Sequence, residues 1–167
     1  MAVTMYSQSV PALVKSLKAL SGIIDKAATH CATNKIDEAV MTSQRLFPDM
    51  FPFTKQVFIA TDMAKGGAAR LSGVEIPKYE DTEVSFDELK ARIAKTVAFL
   101  ESASKTAIEA SAENPIEIKL GNGQVYNFTG HTYLNGWVLP NFYFHVTTAY
   151  NVLRAGGVPL GKGDFLA

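Results

Sequence analysis

The chain has 167 residues, 47% of them hydrophobic and 19% charged, with sixteen Lys and Arg balancing sixteen Asp and Glu. That length and apolar content fit one domain over 1–167 with a substantial core and exclude a disordered chain. The neutral balance argues against a nucleic-acid partner, and no apolar run approaches the roughly 20 residues that a membrane span needs.

The first residues, MAVTMYSQSVPALVK, lack a charged segment leading into an apolar one, so no secretory leader is expected. A single cysteine, Cys31, cannot form an internal disulfide and fits a reducing, cytoplasmic compartment.

The first long helix is predicted from about Ser7 to His30, where Val10, Leu13, Leu17, Leu20, Ile24 and Ala27 recur at helical spacing. Pro11 is tolerable in its first turn, and Asn34 is the expected stop. Residues 35–53 hold one or two short helical turns before Pro48 and Pro52 force the chain to bend. The second long helix starts near Thr54, an expected N-cap. Its inward stripe is Phe53, Val57, Ala60, Ala64, Gly67 and Leu71. Gly66 and Gly67 each weaken a helix by roughly 1 kcal/mol, so they imply either close packing or room for a ligand.

VEIPKYEDTEV reads as an exposed linker. Ser85 and Glu88 then form a capping box for the third helix, whose stripe runs Phe86, Leu89, Ile93, Val97, Leu100 and on to Ile108. Lys90, Arg92 and Lys95 are expected on its solvated face. IEIKLGNGQVYNF is a hairpin with two competing pairings. The three-residue loop Gly121-Asn122-Gly123 is preferred, because it sets Ile118 opposite Tyr126 and Ile116 opposite Phe128 on one apolar face. The last helix begins near His131, is expected to kink or break at Pro140, resumes through Arg154 and stops at Gly156-Gly157. An extended tail packs back through Leu160 and Phe165. The chain is therefore all-α apart from one small hairpin between the third and fourth long helices.

The segments MYSQSVPALVKSLKAL, RLFPDMFPFTKQVFIATDMAKGGAARLSG, SFDELKARIAKT and YLNGWVLPNFYFHVTTAYNVLRAGGVPLGKGDFL cover most of the sequence. In them the chain resembles an uncharacterised bacterial domain-of-unknown-function family within the DinB/YfiT-like superfamily. That resemblance implies an antiparallel four-helix bundle, often dimeric, and a superfamily with metal-dependent transferases and hydrolase-like members. Such members present one His from the second long helix and a His-xxx-His pair from the last. Here the last helix carries Asn141 and then His145, and the second helix offers Thr61 or Asp62 with no His. His145 is the one matching ligand, so no cofactor is expected, with Zn or Ni the alternative.

The residues themselves give Asn141, His145 and Thr148 at i, i+4 and i+7, on a stripe that continues to Val152. Besides the metal-dependent transferase or hydrolase that the resemblance implies as an alternative, three readings stay open. His145 is a buried histidine satisfied by Gln56, Asn141 or water. Or Gln56, Asp62, Asn141, His145 and Thr148 line a small-molecule pocket between the second and fourth long helices, with His145 a candidate general base. Or the site has decayed and the chain is a structural, dimerising module. Tyr133, Trp137 and Phe142 form an aromatic cluster that suits a homodimer interface. His30 and Cys31 are a poor metal pair, His131 is expected at the surface, and Gly161-Lys162-Gly163-Asp164 lacks the spacing of a phosphate loop.

Overall fold

A reciprocal capping box between Thr4 and Ser7 starts the one-turn helix α1 (Met5–Gln8). In the computed structural model, which describes residues 3–167, a bend at Ser9 separates α1 from α2 (Val10–Asn34). One helix was expected here. The Ser9 hydroxyl instead donates to the Met5 carbonyl at 2.7 Å, and Pro11 has no amide with which to extend the earlier turn. α2 closes on Lys35, which takes a left-handed φ of 56°. Asn34 is the last helical residue, and its amide donates to the His30 carbonyl at 2.9 Å.

Asp37 accepts the Ala39 amide at 2.9 Å and starts α3 (Glu38–Ser43). α4 (Phe53–Ser72) begins after Pro52, not at a Thr54 cap. The Phe53 amide is taken by the Gln44 carbonyl at 2.9 Å, and the Thr54 hydroxyl turns away to the Thr42 carbonyl at 2.8 Å. α5 (Phe86–Ser102) opens on the Ser85–Glu88 capping box. It ends before Ile108, which lies in a separate helix α6 (Lys105–Glu109), because Ser104 leaves the helix and accepts the Ala107 amide at 3.3 Å.

Strands β1 (Pro115–Lys119) and β2 (Val125–Thr129) pair antiparallel, with Ile116 opposite Phe128 and Ile118 opposite Tyr126. Ile116 and Ile118 are buried, while Tyr126 and Phe128 hold the Trp137 ring at centroid distances of 5.2 and 5.8 Å. This cover stabilises a hairpin that would be marginal alone.

After the hairpin, α7 (Gly130–Tyr133), a π-helical segment (Leu134–Val138) and α8 (Leu139–Ala155) form one uninterrupted helical path. The expected break at Pro140 is absent. Leu139 keeps φ −63° and ψ −45°, and its amide donates five residues back to the Leu134 carbonyl. The wider π turn gives the proline ring room that an α-turn would deny it, so the chain absorbs Pro140 without leaving the helix. The tail also differs from the extended segment expected: α9 (Lys162–Leu166) is a short helix, with Leu160 buried and Phe165 edge-on to Tyr150 at 6.1 Å.

The described chain is thus mostly helical with one two-stranded antiparallel sheet. α4 packs most extensively on α8, and α2 on α5. Small residues permit the first of these approaches: a Cβ placed on Gly67 would sit 2.8 Å from Val138 Cγ1. Of the two explanations for that glycine, close packing is the one the structure supplies. No described helix is long and apolar enough to cross a membrane.

Candidate functional site: an oriented imidazole between α4 and α8

His145 is 91% buried by its 9% exposure, and Gln56, 1% exposed, meets it from α4. Gln56 Oε1 lies 2.7 Å from His145 Nδ1, while Gln56 Nε2 donates to the Phe51 carbonyl at 3.0 Å. The second bond determines the first. An amide nitrogen must face the Phe51 carbonyl, so the amide oxygen faces Nδ1, and Nδ1 carries the proton. Burial lowers the His145 pKa below its ordinary 6.5 and keeps the ring neutral. Nε2 then offers a bare lone pair. Every fully buried side-chain nitrogen and oxygen among the described residues has a partner, and Nε2 has none, so Nε2 reaches the surface. The Phe144 ring lies perpendicular to the imidazole, with centroids 5.2 Å apart and planes at 87°, and is itself 58% exposed.

The other residues expected at this site are engaged elsewhere. Thr148 donates its hydroxyl to the Phe144 carbonyl at 2.7 Å. Asn141 does not cap a resumed helix: its Nδ2 donates to the Trp137 carbonyl at 2.7 Å, satisfying backbone at the π segment. Asp62 sits six residues along α4 from Gln56, about 120° around the helix, and faces α5. Its Oδ1 lies 3.0 Å from Arg92 Nη2 and 2.8 Å from Lys65 Nζ. The structure therefore brings Gln56 and His145 together and sends Asp62 to a different interface.

Arg92 corrects the expectation of a solvated face on α5, for its side chain is 1% exposed. Nε donates to Thr61 at 2.8 Å, Nη1 to the Glu80 carbonyl at 3.0 Å and to Glu83 at 3.2 Å, and Nη2 also lies 3.1 Å from Asp81. The guanidinium thus donates from all three of its nitrogens, Nη2 to Asp62 Oδ1, with Asp81 a further ion-pair partner. The supposed linker is thereby folded onto α4 and α5, with Tyr79 under Lys65 at 3.8 Å and Lys95 at 4.2 Å. An open cleft of about 560 Å³ between it and α5 is lined by Lys78, Tyr79, Glu83, Glu88 and Lys95. Leu89, Arg92 and Thr96 share helical spacing, and Glu80, Asp81 and Glu83 are acidic; that combination was the available signal for a buried arginine.

The donor set does not suit a transition metal. Among the described residues no group of three or more His, Cys, Asp or Glu side chains gathers as a metal site, and His145 brings one imidazole beside an amide already bonded to it. Cys31 offers no alternative chemistry: burial, then Glu38 and Asp37, push its thiol pKa up and keep it a poor nucleophile.

A family model described as "Domain of unknown function (DUF1993)" matches residues 5–166. The chain belongs to the DUF1993 family. A solved structure of a DinB family member protein from Shewanella denitrificans is 40% identical to this DUF1993 chain. The likeness covers 97% of this chain and 91% of that one, with a TM-score of 0.89. No curated protein matches. In this DUF1993 chain the aromatic cluster expected at a dimer contact is mainly internal. Tyr133 and Phe142 are 2% and 0% exposed, and Trp137 is covered by the hairpin. The exposed rings include Phe47, Phe51 and Phe144, with Tyr126 and Tyr143 less so.

Proposed function

We propose that the chain is a single-domain, cytoplasmic, DinB-like antiparallel four-helix bundle over 1–167 that binds a small molecule at His145, between α4 and α8. The observation that carries this is the Gln56–His145 bond, which leaves a neutral, 91%-buried imidazole with one open acceptor atom at the surface. His145 contacts the ligand as hydrogen-bond acceptor, and the same lone pair suits a general base. Gln56 is a positioning residue that holds the tautomer. Asn141 and Thr148 shape the helix beneath, and Asp62 steadies α4 from the α5 side. Neither Zn nor Ni takes part, since one imidazole is too few donors.

The test is a thermal-shift fragment screen run on the wild type and on His145→Gln. Fragments that raise the wild-type melting temperature and lose that effect in the variant support binding at His145. A screen in which every stabilising fragment acts equally on both proteins refutes it.

A second reading is a homodimerising module without a ligand. Exposed Phe47, Phe51 and Phe144 favour it, because aromatic rings are enriched at interface cores. Sedimentation of wild type and Phe144→Ser separates the two: a dimer that the variant abolishes supports this reading, and a monomer removes it.

A further inference from the structure

Residues 74–84 run from the left-handed cap of α4 at Gly73 to the N-cap of α5 at Ser85, and take up neither helix nor strand. Among the described residues, none of this segment enters the apolar core or packs against it. Val74 and Val84 are 51% and 71% exposed, and Ile76 and Pro77 are half-buried outside the core. The segment therefore lacks the apolar burial that ordinarily secures tertiary structure. Regions of that kind open locally, at a free energy well below that of global unfolding.

Charge holds the segment instead. Arg92 of α5 donates through Nη1 to the Glu80 carbonyl at 3.0 Å and the Glu83 carboxylate at 3.2 Å, and its Nη2 lies 3.1 Å from Asp81. Asp81 also reaches Lys55 of α4 at 2.6 Å. The Tyr79 ring is approached by Lys65 of α4 at 3.8 Å and by Lys95 of α5 at 4.2 Å. These contacts are sensitive to the solvent in a way that a core is not. The Arg92 side chain is 1% exposed, so closure desolvates a guanidinium that opening returns to water. Asp81 and Glu83 still keep 35% and 18% of their side-chain surface. Added salt favours the state in which these charges stand apart, because the Debye length falls from about 10 Å at 0.1 M to about 3 Å at 1 M.

We infer that residues 74–84 are a strap clasped by ion pairs, which opens as one unit when ionic strength rises and uncovers Lys65 and Arg92 while the helices stay folded. Opening also takes away one wall of the cleft of about 560 Å³, since Lys78, Tyr79 and Glu83 line it from the strap. The strap is thus a conformational device that couples the shape of that cleft to the ions around the protein.

Lys65 reports on the strap, because it is 5% exposed and Tyr79 covers it. Lys15 on α2 is exposed and serves as the reference. The full chain is given a short pulse of an amine-reactive ester at about 0.1 M and about 1 M sodium chloride, and the modification of Lys65 relative to Lys15 is read by mass spectrometry. The ratio cancels any effect of salt on the reagent. Asp81→Asn is run alongside: Asp81 touches Lys55 and Arg92 but not Lys65, so this variant weakens the clasp and leaves the reporter alone. The expected result is a rise of about tenfold in the wild-type ratio, in keeping with the screening of a few partly exposed ion pairs, while the helical circular dichroism stays constant. Asp81→Asn should start from a higher ratio in low salt and respond less to added salt. A wild-type ratio that ignores salt would overturn the strap, as would a rise accompanied by loss of helical signal. A salt response that Asp81→Asn leaves unchanged would place its origin outside the clasp and overturn it equally.

Discussion

Gln56 Oε1 and His145 Nδ1 lie 2.7 Å apart across 89 residues of sequence, and this bond ties α4 to α8. Gln56→Leu should strand the buried Nδ1–H and cost about 1–3 kcal/mol, the penalty for an unsatisfied polar group. His145→Leu should cost a similar amount by stranding Gln56 Oε1. The double variant removes both partners, so its loss should be well below the sum. Urea denaturation of the four proteins checks this, and additive losses would count against a shared bond.

Acid should expose the same group. The folded pKa of His145 lies below its ordinary 6.5, so between those values the unfolded chain binds more protons than the folded one. The stability due to neutral His145 is therefore complete above 6.5 and falls as pH drops through the folded value. Wild type minus His145→Gln should be constant above about pH 7 and shrink below about pH 6. A difference that grows on acidification would reverse the sign and refute a neutral buried ring.

Arg92→Met should loosen the segment at 74–84. Breaking a buried ion pair costs about 3–5 kcal/mol, and the partial exposure of Asp62, Asp81 and Glu83 reduces that to about 2–3 kcal/mol. Arg92→Lys should restore little, because an ammonium cannot reach acceptors on Thr61, Glu80 and Glu83 together. Trypsin cleavage at Lys78, faster in both variants, is the direct readout. Unchanged cleavage would mean that the segment is held by other contacts.

Gly67→Ala places a Cβ 2.8 Å from Val138 Cγ1. Overpacking of this kind costs about 1–3 kcal/mol, and Val138→Ala in the same chain should recover part of it. A neutral Gly67→Ala would show slack between α4 and the π segment.

The helices were legible because apolar residues recur at three and four, and the hairpin register because only one pairing put Ile116, Ile118, Tyr126 and Phe128 on one face. Three features were hidden for distinct physical reasons. Arg92 looked solvated because its acceptors come from a segment with no periodicity. Pro140 looked like a breaker because a π turn leaves no mark in composition. The short α9 turns on a local bond, Asp164 accepting the Gly161 amide at 2.8 Å, within a run that reads as loop. At the site, helical spacing could place His145 inward and suggest Gln56 as a neighbour. It could not orient the amide, because that depends on the Phe51 carbonyl. The pairing of Asp62 with Arg92 on α5 was not legible, because spacing along α4 does not say which neighbouring helix each face meets.

The central claim is that His145 is held as the Nδ1–H tautomer with Nε2 open. Long-range proton–nitrogen NMR of the histidine side chains at pH about 8 tests it most directly. The account predicts a protonated Nδ1 and a bare Nε2 at His145, with the tautomer mixture returning in Gln56→Leu. A His145 protonated at Nε2, or one whose tautomer ignores Gln56, would contradict it.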